Sequence, residues 1–480
     1  MSLPFPEYES FDALALAHQV ERGEITPAEL LDAAIARCEA RNPELNAIVI
    51  PLFDEARAQL DNRVPDGPFR GVPFLIKDLG LQLIGTRTTG GSRFFADHVA
   101  DHDSELVRRY REAGLVIFGK TASPEFGLST TTESQLHGAT RNPWNVGHTS
   151  GGSSGGASAA VAAGILPLAN ASDGGGSIRI PAACCGLFGL KPTRGRIPIG
   201  PRVLEGWAGM STIHAVSRSV RDSAALLDAT QGPELGSPYF APPLERPLLE
   251  EVVENPGRLR IAVQSESFNG APTHPDCVAA LEDAAALCRE LGHDVREARL
   301  EVDAAAVGVA SHVIISANLR YELNLRAEQL GRQPGEEDLE SFTRIILAGG
   351  DPKSACDFVA SQRTLQSIGR QVASFLLDFD LLLTPTIATP PLEIGALSLS
   401  NPDLESLTRN MMATAAFTQL FNLAGNPAAS VPLYWNDAGL PIGVQFAARF
   451  GNEACLVRLA SQLESARPWF ERRPPGFGAG

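Results

Sequence analysis

The stretch SGGSSGGASAA, residues 150–160, most constrains what this chain of 480 residues can fold into. Gly and Ser tracts usually form flexible, solvated linkers. This tract, however, continues directly into VAAGILPLA, whose small apolar residues predict a buried helix that runs into a strand. The tract is therefore either a linker between two halves or a loop that brings backbone N–H groups close to a substrate.

A second glycine run, Gly174-Gly175-Gly176, stands directly before Ser177. Because glycine has no Cβ and adopts positive φ readily, consecutive N–H groups can converge on one point. Donors arranged in this way stabilise the oxyanion of a tetrahedral intermediate by about 3–4 kcal/mol each. Taken alone, Ser177 also fits an ordinary loop serine. The glycine run favours Ser177 as a nucleophile beside an oxyanion hole.

A nucleophilic serine needs a base, and the lysine content suggests one. Of the 40 basic residues only four are Lys, at positions 77, 120, 191 and 353. Lys can lose its proton when buried, whereas Arg cannot. The segment GVPFLIKDL (71–79) predicts a buried strand that ends near Lys77 and Asp78, although Lys77 alone also fits a partner of Asp78. Ser–Lys versions of the serine triad exist, and Ser153 could relay a proton between Lys77 and Ser177.

Two further patterns match catalytic motifs. GLVIFGKT (114–121) matches the phosphate-loop pattern, but its four central apolar residues favour a strand, and Pro124 stands where the helix should begin. We therefore expect no nucleotide site there. The pattern G-x-S-x-G occurs twice, centred on Ser153 and on Ser154. This signal is weak for two reasons. The segment RNPWNVGHTS before it predicts no strand, and none of the nine His lies in a motif that marks it as the catalytic partner of a serine.

Strands and helices alternate along the chain, which predicts an α/β fold around a mostly parallel or mixed sheet. In TPAELLDAAIARCEARN, Thr26 is the expected N-cap, Pro27 the first helical residue and Glu29 the partner in a capping box. Further strands are predicted at 115–118 and 257–263 and in FDLLLTPT and GVQFAARFG, the last followed by the helix NEACLVRLASQLESA. The Pro-rich segment 238–256 is the best candidate for a boundary.

Composition limits the class of partner. A net charge of −16 argues against nucleic acid, and weakly against an anionic membrane surface. The N-terminal sequence MSLPFPEYESF lacks the features of a signal peptide. The seven Cys are irregularly spaced, which predicts neither a disulfide framework nor a zinc site. We therefore expect a cytoplasmic protein without a metal.

Several longer segments together resemble the amidase signature family. They are GGSSGGASAAVAAG, GVPFLIKDL, GKTASPEFG, FNLAGNPAASVPL, LPIGVQFAA and DGGGSIRIPAACCGLFGLKPTRGRIP. The resemblance covers nearly the whole chain, and its signature block is long and specific. Within the family, IPLFDEAR, GATRNPWN and NPGRLRIAV are most similar to amidases of the 6-aminohexanoate cyclic-dimer hydrolase type.

The resemblance implies an α/β fold of the amidase signature type, with a large mixed β-sheet flanked by helices on both faces. It implies a single domain over 1–480, with a signature core at about 65–205 and a helical region at about 300–375 that lines the substrate site. The implied catalytic triad consists of Ser177 as nucleophile, Ser153 as bridging serine after a cis peptide, and Lys77 as base. The matching oxyanion and substrate-binding positions are Gly127, Gly174, Gly175, Gly176 and the Ser177 amide, and the matching supporting positions are Ser154, Asp173 and Arg179.

The implied function is hydrolysis of a linear or cyclic carboxylic amide to an acid and an amine or ammonia, through an acyl-enzyme and without any cofactor. Simple linear-amide amidases are the expected type, with a small-molecule amide as substrate, no nucleic-acid or membrane partner, and a homodimer suggested at family level. Ser172 and Gly174 depart from the family, which usually has Thr and a larger residue there, and this could loosen the oxyanion loop or widen the pocket.

Two alternatives stay open. One is the glutaminase subunit of a tRNA-dependent amidotransferase, which typically has Tyr where this chain has Arg194. The other is a non-catalytic binding protein with a degenerate site, against which the intact Lys77, Ser153 and Ser177 argue.

Overall fold

Two β-sheets and two short β-ribbons organise the computed structural model, which describes residues 3–61, 64–348 and 354–477. The strands are β1 (Ile48–Pro51), β2 (Pro73–Lys77), β3 (Val116–Thr121), β4 (Glu133–Ser134), β5 (Gly138–Ala139), β6 (Arg141–Asn142), β7 (Asn145–Thr149), β8 (Leu168–Asp173), β9 (Phe188–Lys191), β10 (Thr212–Ser217), β11 (Arg260–Val263), β12 (Asp294–Glu297), β13 (Leu381–Pro385), β14 (Ala428–Trp435) and β15 (Pro441–Ala448).

The α-helices of the described residues connect and cover these strands. They are α1 (Ala13–Glu21), α2 (Pro27–Leu45), α3 (Phe53–Asp61), α4 (Glu105–Glu112), α5 (Gly155–Ala162), α6 (Arg179–Cys185), α7 (Val220–Thr230), α8 (Leu248–Glu251), α9 (Pro275–Glu290), α10 (Ala304–Leu330), α11 (Ser341–Ala348), α12 (Ala355–Phe375), α13 (Leu404–Thr414), α14 (Gln419–Ala424) and α15 (Glu453–Ala466). Short 3₁₀ turns span Pro6–Ser10, Arg93–Phe95 and Glu125–Gly127. Throughout residues 3–61, 64–348 and 354–477, no helix combines the length and apolar content that crossing a membrane requires.

The larger sheet has eight strands in the order β12-β11-β13-β15-β14-β9-β10-β8. Strands β12, β11 and β13 pair in parallel and the other neighbours pair antiparallel, so the sheet is mixed. Every residue of β15 is buried, which requires cover on both faces of the sheet. Helix α6 packs closely on this strand, since a Cβ at Gly443 would lie 2.6 Å from Ala183. The predicted α/β fold with a large mixed sheet is confirmed.

The smaller sheet, in the order β1-β3-β2, carries Lys77 at the end of β2. Strand β3 continues two residues beyond the second glycine of GLVIFGKT and so includes Lys120. The capping box of α2 forms as predicted, with Thr26 and Glu29 each accepting from the other's backbone N–H. One local prediction is wrong, because residues 141–149 do form strands: β6 and β7 pair as an antiparallel ribbon before the glycine tract.

The apolar core is shared by residues distant in sequence. Its largest cluster contains Phe188, Leu248 and Leu281, which lie before, within and after the segment 238–256. A second cluster includes Ile314 of α10 and Phe417. The region predicted to be helical at about 300–375 is formed by α10, α11 and α12, and its residues 349–353, with Lys353, lie outside the described residues.

Candidate active site

Lys77 ends strand β2 with its side chain completely buried. Its Nζ donates to Ser153 Oγ over 2.7 Å and to Ser172 Oγ over 3.1 Å. Burial disfavours the ammonium form and lowers the pKa of Lys77 from 10.5 to about 7, and the Asp173 carboxylate opposes this only in part. An amine with this pKa is available as a base near neutral pH.

The tract at 150–160 is fully buried and is not a linker: residues 150–154 form a loop, and residues 155–160 already belong to α5. The Gly152–Ser153 peptide bond is cis, as the resemblance implied. A Cβ on Gly152 would lie 2.1 Å from the carbonyl oxygen of Thr131, so a side chain there has no space. Ser154 Oγ donates to the carbonyl of Ser172 and accepts from its N–H, both over 3.2 Å, and so ties the tract to strand β8. The glycines allow this backbone to pack directly beside Lys77.

Asp173 and Arg179 form a buried ion pair at the base of the glycine run. Arg179 Nη2 donates to Asp173 Oδ1 over 2.9 Å, and Arg179 Nε donates to Oδ2 over 3.0 Å. Burial alone would raise the pKa of Asp173, but the Arg179 guanidinium, with help from Lys191 and Asn422, holds it well below its usual range. The pair therefore stays charged and gives the loop between β8 and α6 a fixed anchor.

In the loop between β8 and α6, residues 174–178, two of the five backbone N–H groups, those of Gly176 and Ile178, donate to the carboxylate of Asp173. Within the described part of the chain, the N–H groups of Gly174, Gly175 and Ser177 donate to no protein acceptor. The structure differs from the prediction at Gly176, whose N–H donates to Asp173 Oδ1 over 2.7 Å and so points into the ion pair. Glycine is required at position 176 for another reason: a Cβ there would lie 2.3 Å from Thr418 Oγ1, so no side chain fits.

The remaining predicted residues lie close to this group. A Cβ on Gly127 would lie 3.2 Å from Ser153 Oγ, which places the Gly127 backbone directly against Ser153. Ser177 is half-buried, and its hydroxyl forms no hydrogen bond with Ser153 or any other residue in the described ranges. Catalytic hydrogen bonds are often formed only when substrate is bound, so the relay between the two serines stays a prediction.

Sequence reasoning missed the C-terminal residues that brace the site. Asn422 Nδ2 donates to Asp173 Oδ1 over 2.8 Å and to the carbonyl of Asp173 over 2.9 Å. Thr418 Oγ1 donates to the carbonyl of Gly175 over 2.7 Å, which fixes the direction of the adjoining amides. A usable signal was present: Asn422 is a polar residue in the apolar run FNLAG, and such a residue must find partners when buried.

The phosphate-loop match has a structural explanation. Lys120 is a buried residue of β3, and its Nζ donates to the carbonyl of Arg87 and to Thr88 Oγ1, each over 2.6 Å. Its amine thus ties the segment with Arg87 and Thr88 to the smaller sheet. In the described ranges, no group of three or more His, Cys, Asp and Glu side chains is arranged to hold a metal ion.

The mixed sheet and a buried lysine–serine contact beside a glycine loop define an amidase signature hydrolase, and the chain belongs to this family. The family profile described as Amidase matches residues 29–457. The chain is therefore an amide hydrolase, and hydrolysis through a serine is general to the family.

Individual relatives agree with this assignment. The chain is 42% identical to a 6-aminohexanoate-cyclic-dimer hydrolase of Pseudomonas sp. (strain NK87), over 96% of each protein. A solved structure of 6-aminohexanoate cyclic dimer hydrolase superposes with a TM-score of 0.92 at 40% identity, covering 97% of this chain and 99% of the other. A glutamyl-tRNA(Gln) amidotransferase subunit from Thermotoga maritima superposes with a TM-score of 0.74 at 27% identity, covering 96% of each chain. The predicted similarity to the cyclic-dimer hydrolase type is confirmed.

Proposed function

We propose that this chain hydrolyses a cyclic or linear carboxylic amide through an acyl-enzyme on Ser177, with Lys77 as base and Ser153 as proton relay. The observation that carries the proposal is the 2.7 Å contact between Lys77 Nζ and Ser153 Oγ, made by a fully buried lysine whose pKa is lowered to about 7. Lys120 and Lys191, the other two buried lysines of the described residues, each donate to a backbone carbonyl, whereas Lys77 Nζ donates to two serine hydroxyls.

The steps follow from this contact. Neutral Lys77 takes the proton of Ser153, Ser153 takes the proton of Ser177, and the Ser177 oxygen bonds to the substrate carbonyl carbon. The free amides of Gly174, Gly175 and Ser177 then hold the oxyanion. When the carbon–nitrogen bond breaks, the proton returns from Lys77 through Ser153 to the leaving amine. Water, deprotonated by the same relay, releases the acid and restores Ser177.

The substrate class is proposed from the named relatives. Amides built from a medium-length amino acid, in cyclic or linear form, are the first compounds to assay, because one similar protein is named for a cyclic dimer of 6-aminohexanoate. Cyclic substrates release a single product and linear ones release two, so product analysis by mass spectrometry separates them. A homodimer remains a prediction, which light scattering would check.

Fluorophosphonate labelling followed by peptide mapping tests the residue roles. We expect one adduct on Ser177, absent in Ser177→Ala and slowed at least about a hundredfold in Lys77→Ala, the usual effect of losing a general base. An adduct on Ser153 or Ser154 would contradict the assigned nucleophile and would favour the G-x-S-x-G pattern, in which the central serine is the nucleophile.

Substrate assays complete the test. Hydrolysis of the cyclic or linear amide should be lost in Ser177→Ala. Glutaminase activity that appears only with added amidotransferase subunits would favour the amidotransferase alternative instead. An unlabelled, inactive wild-type protein would favour a non-catalytic binding protein.

A further inference from the structure

The indole ring of Trp207 lies directly against Gly174, the first residue of the glycine run. A Cβ added to Gly174 would lie 2.7 Å from Cζ3 and 2.8 Å from Cε3 of that ring. Contacts under 3 Å are closer than van der Waals radii allow, so a residue with a side chain cannot replace Gly174 unless Trp207 moves. The absence of a side chain at Gly174, which departs from the family pattern, therefore matches the presence of this ring.

The turn that carries Trp207 has an unfavourable backbone. Trp207 and Ala208 both have φ of 51°, in the left-handed region that residues with a side chain rarely adopt. For a bulky residue such a conformation is an outlier, and outliers of this kind persist only where the surroundings fix them. The backbone conformation thus indicates that the position of this ring is set by its surroundings.

Hydrogen bonds from the active-site framework hold the turn. Arg194 Nε donates to the carbonyl of Gly209 over 2.7 Å, and its Nη2 donates to the carbonyl of Leu423 over 2.6 Å. Asn422 Nδ2 donates to the carbonyl of Met210 over 3.1 Å and also to Asp173. The same asparagine therefore fixes both the anchor of the oxyanion loop and the turn that carries Trp207.

The exposed part of the ring is available to a ligand. Trp207 is half-buried and packs on the apolar cluster that contains Ile314 of α10 and Phe417. Its Nε1–H donates to no acceptor in the described part of the chain. The ring consequently offers an apolar face and one free donor beside the amides that would hold the substrate carbonyl.

We propose that Trp207 is a specificity-determining residue whose indole forms a wall of the substrate subsite and favours amides with an extended methylene chain on the acyl side. The inference rests on the proposed role of Ser177, because the wall is defined relative to the oxyanion loop. A chain of several methylenes can lie along the indole face, whereas an acetyl group is too short to cover it.

The test compares 4-nitroanilides of acetic and hexanoic acid, which share one leaving amine and differ only in the acyl chain. Wild-type protein should favour the hexanoyl compound in kcat/KM. Trp207→Ala should lower kcat/KM for the hexanoyl compound by about tenfold or more, mainly through KM, and for the acetyl compound by less than about threefold. Trp207→Phe should recover part of the preference. Trp144→Ala is the matched control, because Trp144 is a half-buried tryptophan that packs on Trp435 and should leave the preference unchanged.

A double-mutant cycle tests the contact with Gly174. Gly174→Ala should lose activity in the wild-type background and recover part of it when combined with Trp207→Ala, since the overlapping ring is then absent. An equal loss on both anilides in Trp207→Ala, or a wild-type preference for the acetyl compound, would overturn the proposal. Fluorophosphonate labelling of each variant distinguishes failure of the Trp207 proposal from failure of the proposed function. Labelling of Ser177 without any preference for the hexanoyl chain refutes only the role of Trp207. A wild-type protein that is not labelled refutes the proposed function.

Discussion

The clearest prediction concerns the pH dependence of the base. A pKa lowered from 10.5 to about 7 means that protonating Lys77 in the folded protein costs about 5 kcal/mol more than protonating an ordinary lysine in water. At pH 7.5, about three quarters of the molecules then carry a neutral Lys77, against about one in a thousand for an ordinary lysine. Since the proposed mechanism uses the neutral amine, kcat/KM should rise with pH through an apparent pKa of about 7 and level off above it.

The assay is a profile of kcat/KM from pH 5 to pH 10 at constant ionic strength, on one amide that the wild-type protein hydrolyses. Lys77→Arg keeps a positive charge but cannot lose it, so activity should fall by about a hundredfold to ten-thousandfold at every pH. Near-normal activity in the Arg variant, or a wild-type profile that stays flat from pH 5 to pH 9, would refute Lys77 as the base.

A second buried lysine supplies the control. Burial, together with the nearby Arg179 guanidinium, lowers the pKa of Lys191 to about 7 as well, and its Nζ donates to the carbonyl of Pro192. A rise in activity near pH 7 therefore does not by itself identify the titrating group. In Lys191→Met, kcat/KM should still rise with pH near 7, as in the wild-type protein. Loss of this rise in the variant would assign the titration to Lys191.

The remaining predictions test the relay, the anchor and the packing of the tract. Ser153→Ala should lower kcat/KM by about a hundredfold or more. Ser154→Ala, which loses only the two hydrogen bonds to the Ser172 backbone, should cost less than about tenfold, and equal losses would contradict the relay. Asp173→Asn should reduce the free energy of unfolding by about 3–5 kcal/mol, because it leaves a buried arginine uncompensated, and a denaturant curve that matches wild type would contradict the ion pair. Gly152→Ala should lower the free energy of unfolding by about 3 kcal/mol or more, because its Cβ would meet a backbone oxygen. Gly308→Ala, in an open position of α10, should raise the free energy of unfolding by about 0.5–1 kcal/mol. Similar values for the two variants would show that the packing argument is wrong.

Local signals explain what the sequence predicted well. The capping box at Thr26 and the end of β2 at Lys77 depend on neighbouring residues only, and both are observed. The wrong prediction at 141–149 has a tertiary cause. Asn142 Nδ2 donates to the carbonyl of Thr149 and to that of Cys184, so a contact with α6 stabilises a ribbon that the Pro- and Gly-containing sequence does not favour.

The parts of the site that were not predicted depend on long-range contacts. Asn422 reaches Asp173 across 249 positions of the chain, and no spacing rule connects such residues. Trp207 was missed for the same reason, since its contact with Gly174 depends on a turn whose conformation is set by Arg194 and Asn422. Gly176 shows a different limit, because the glycine run alone does not reveal which of its amides Asp173 occupies.

The unusual use of arginine and lysine has a physical explanation at this site. The three lysines in the described residues, Lys77, Lys120 and Lys191, are all buried, and burial lowers the pKa of each, to about 7, 8 and 7. At the active site the permanent positive charge is carried by Arg179, which pairs with Asp173, the carboxylate that acts on Lys77. A lysine at position 179 could lose its proton in the same surroundings and leave Asp173 as an uncompensated anion, which would favour the ammonium form of Lys77 and raise its pKa. Arginine in the ion pair thus favours the neutral form of Lys77, the one of these three lysines that contacts a serine hydroxyl and that the proposed mechanism uses as a base.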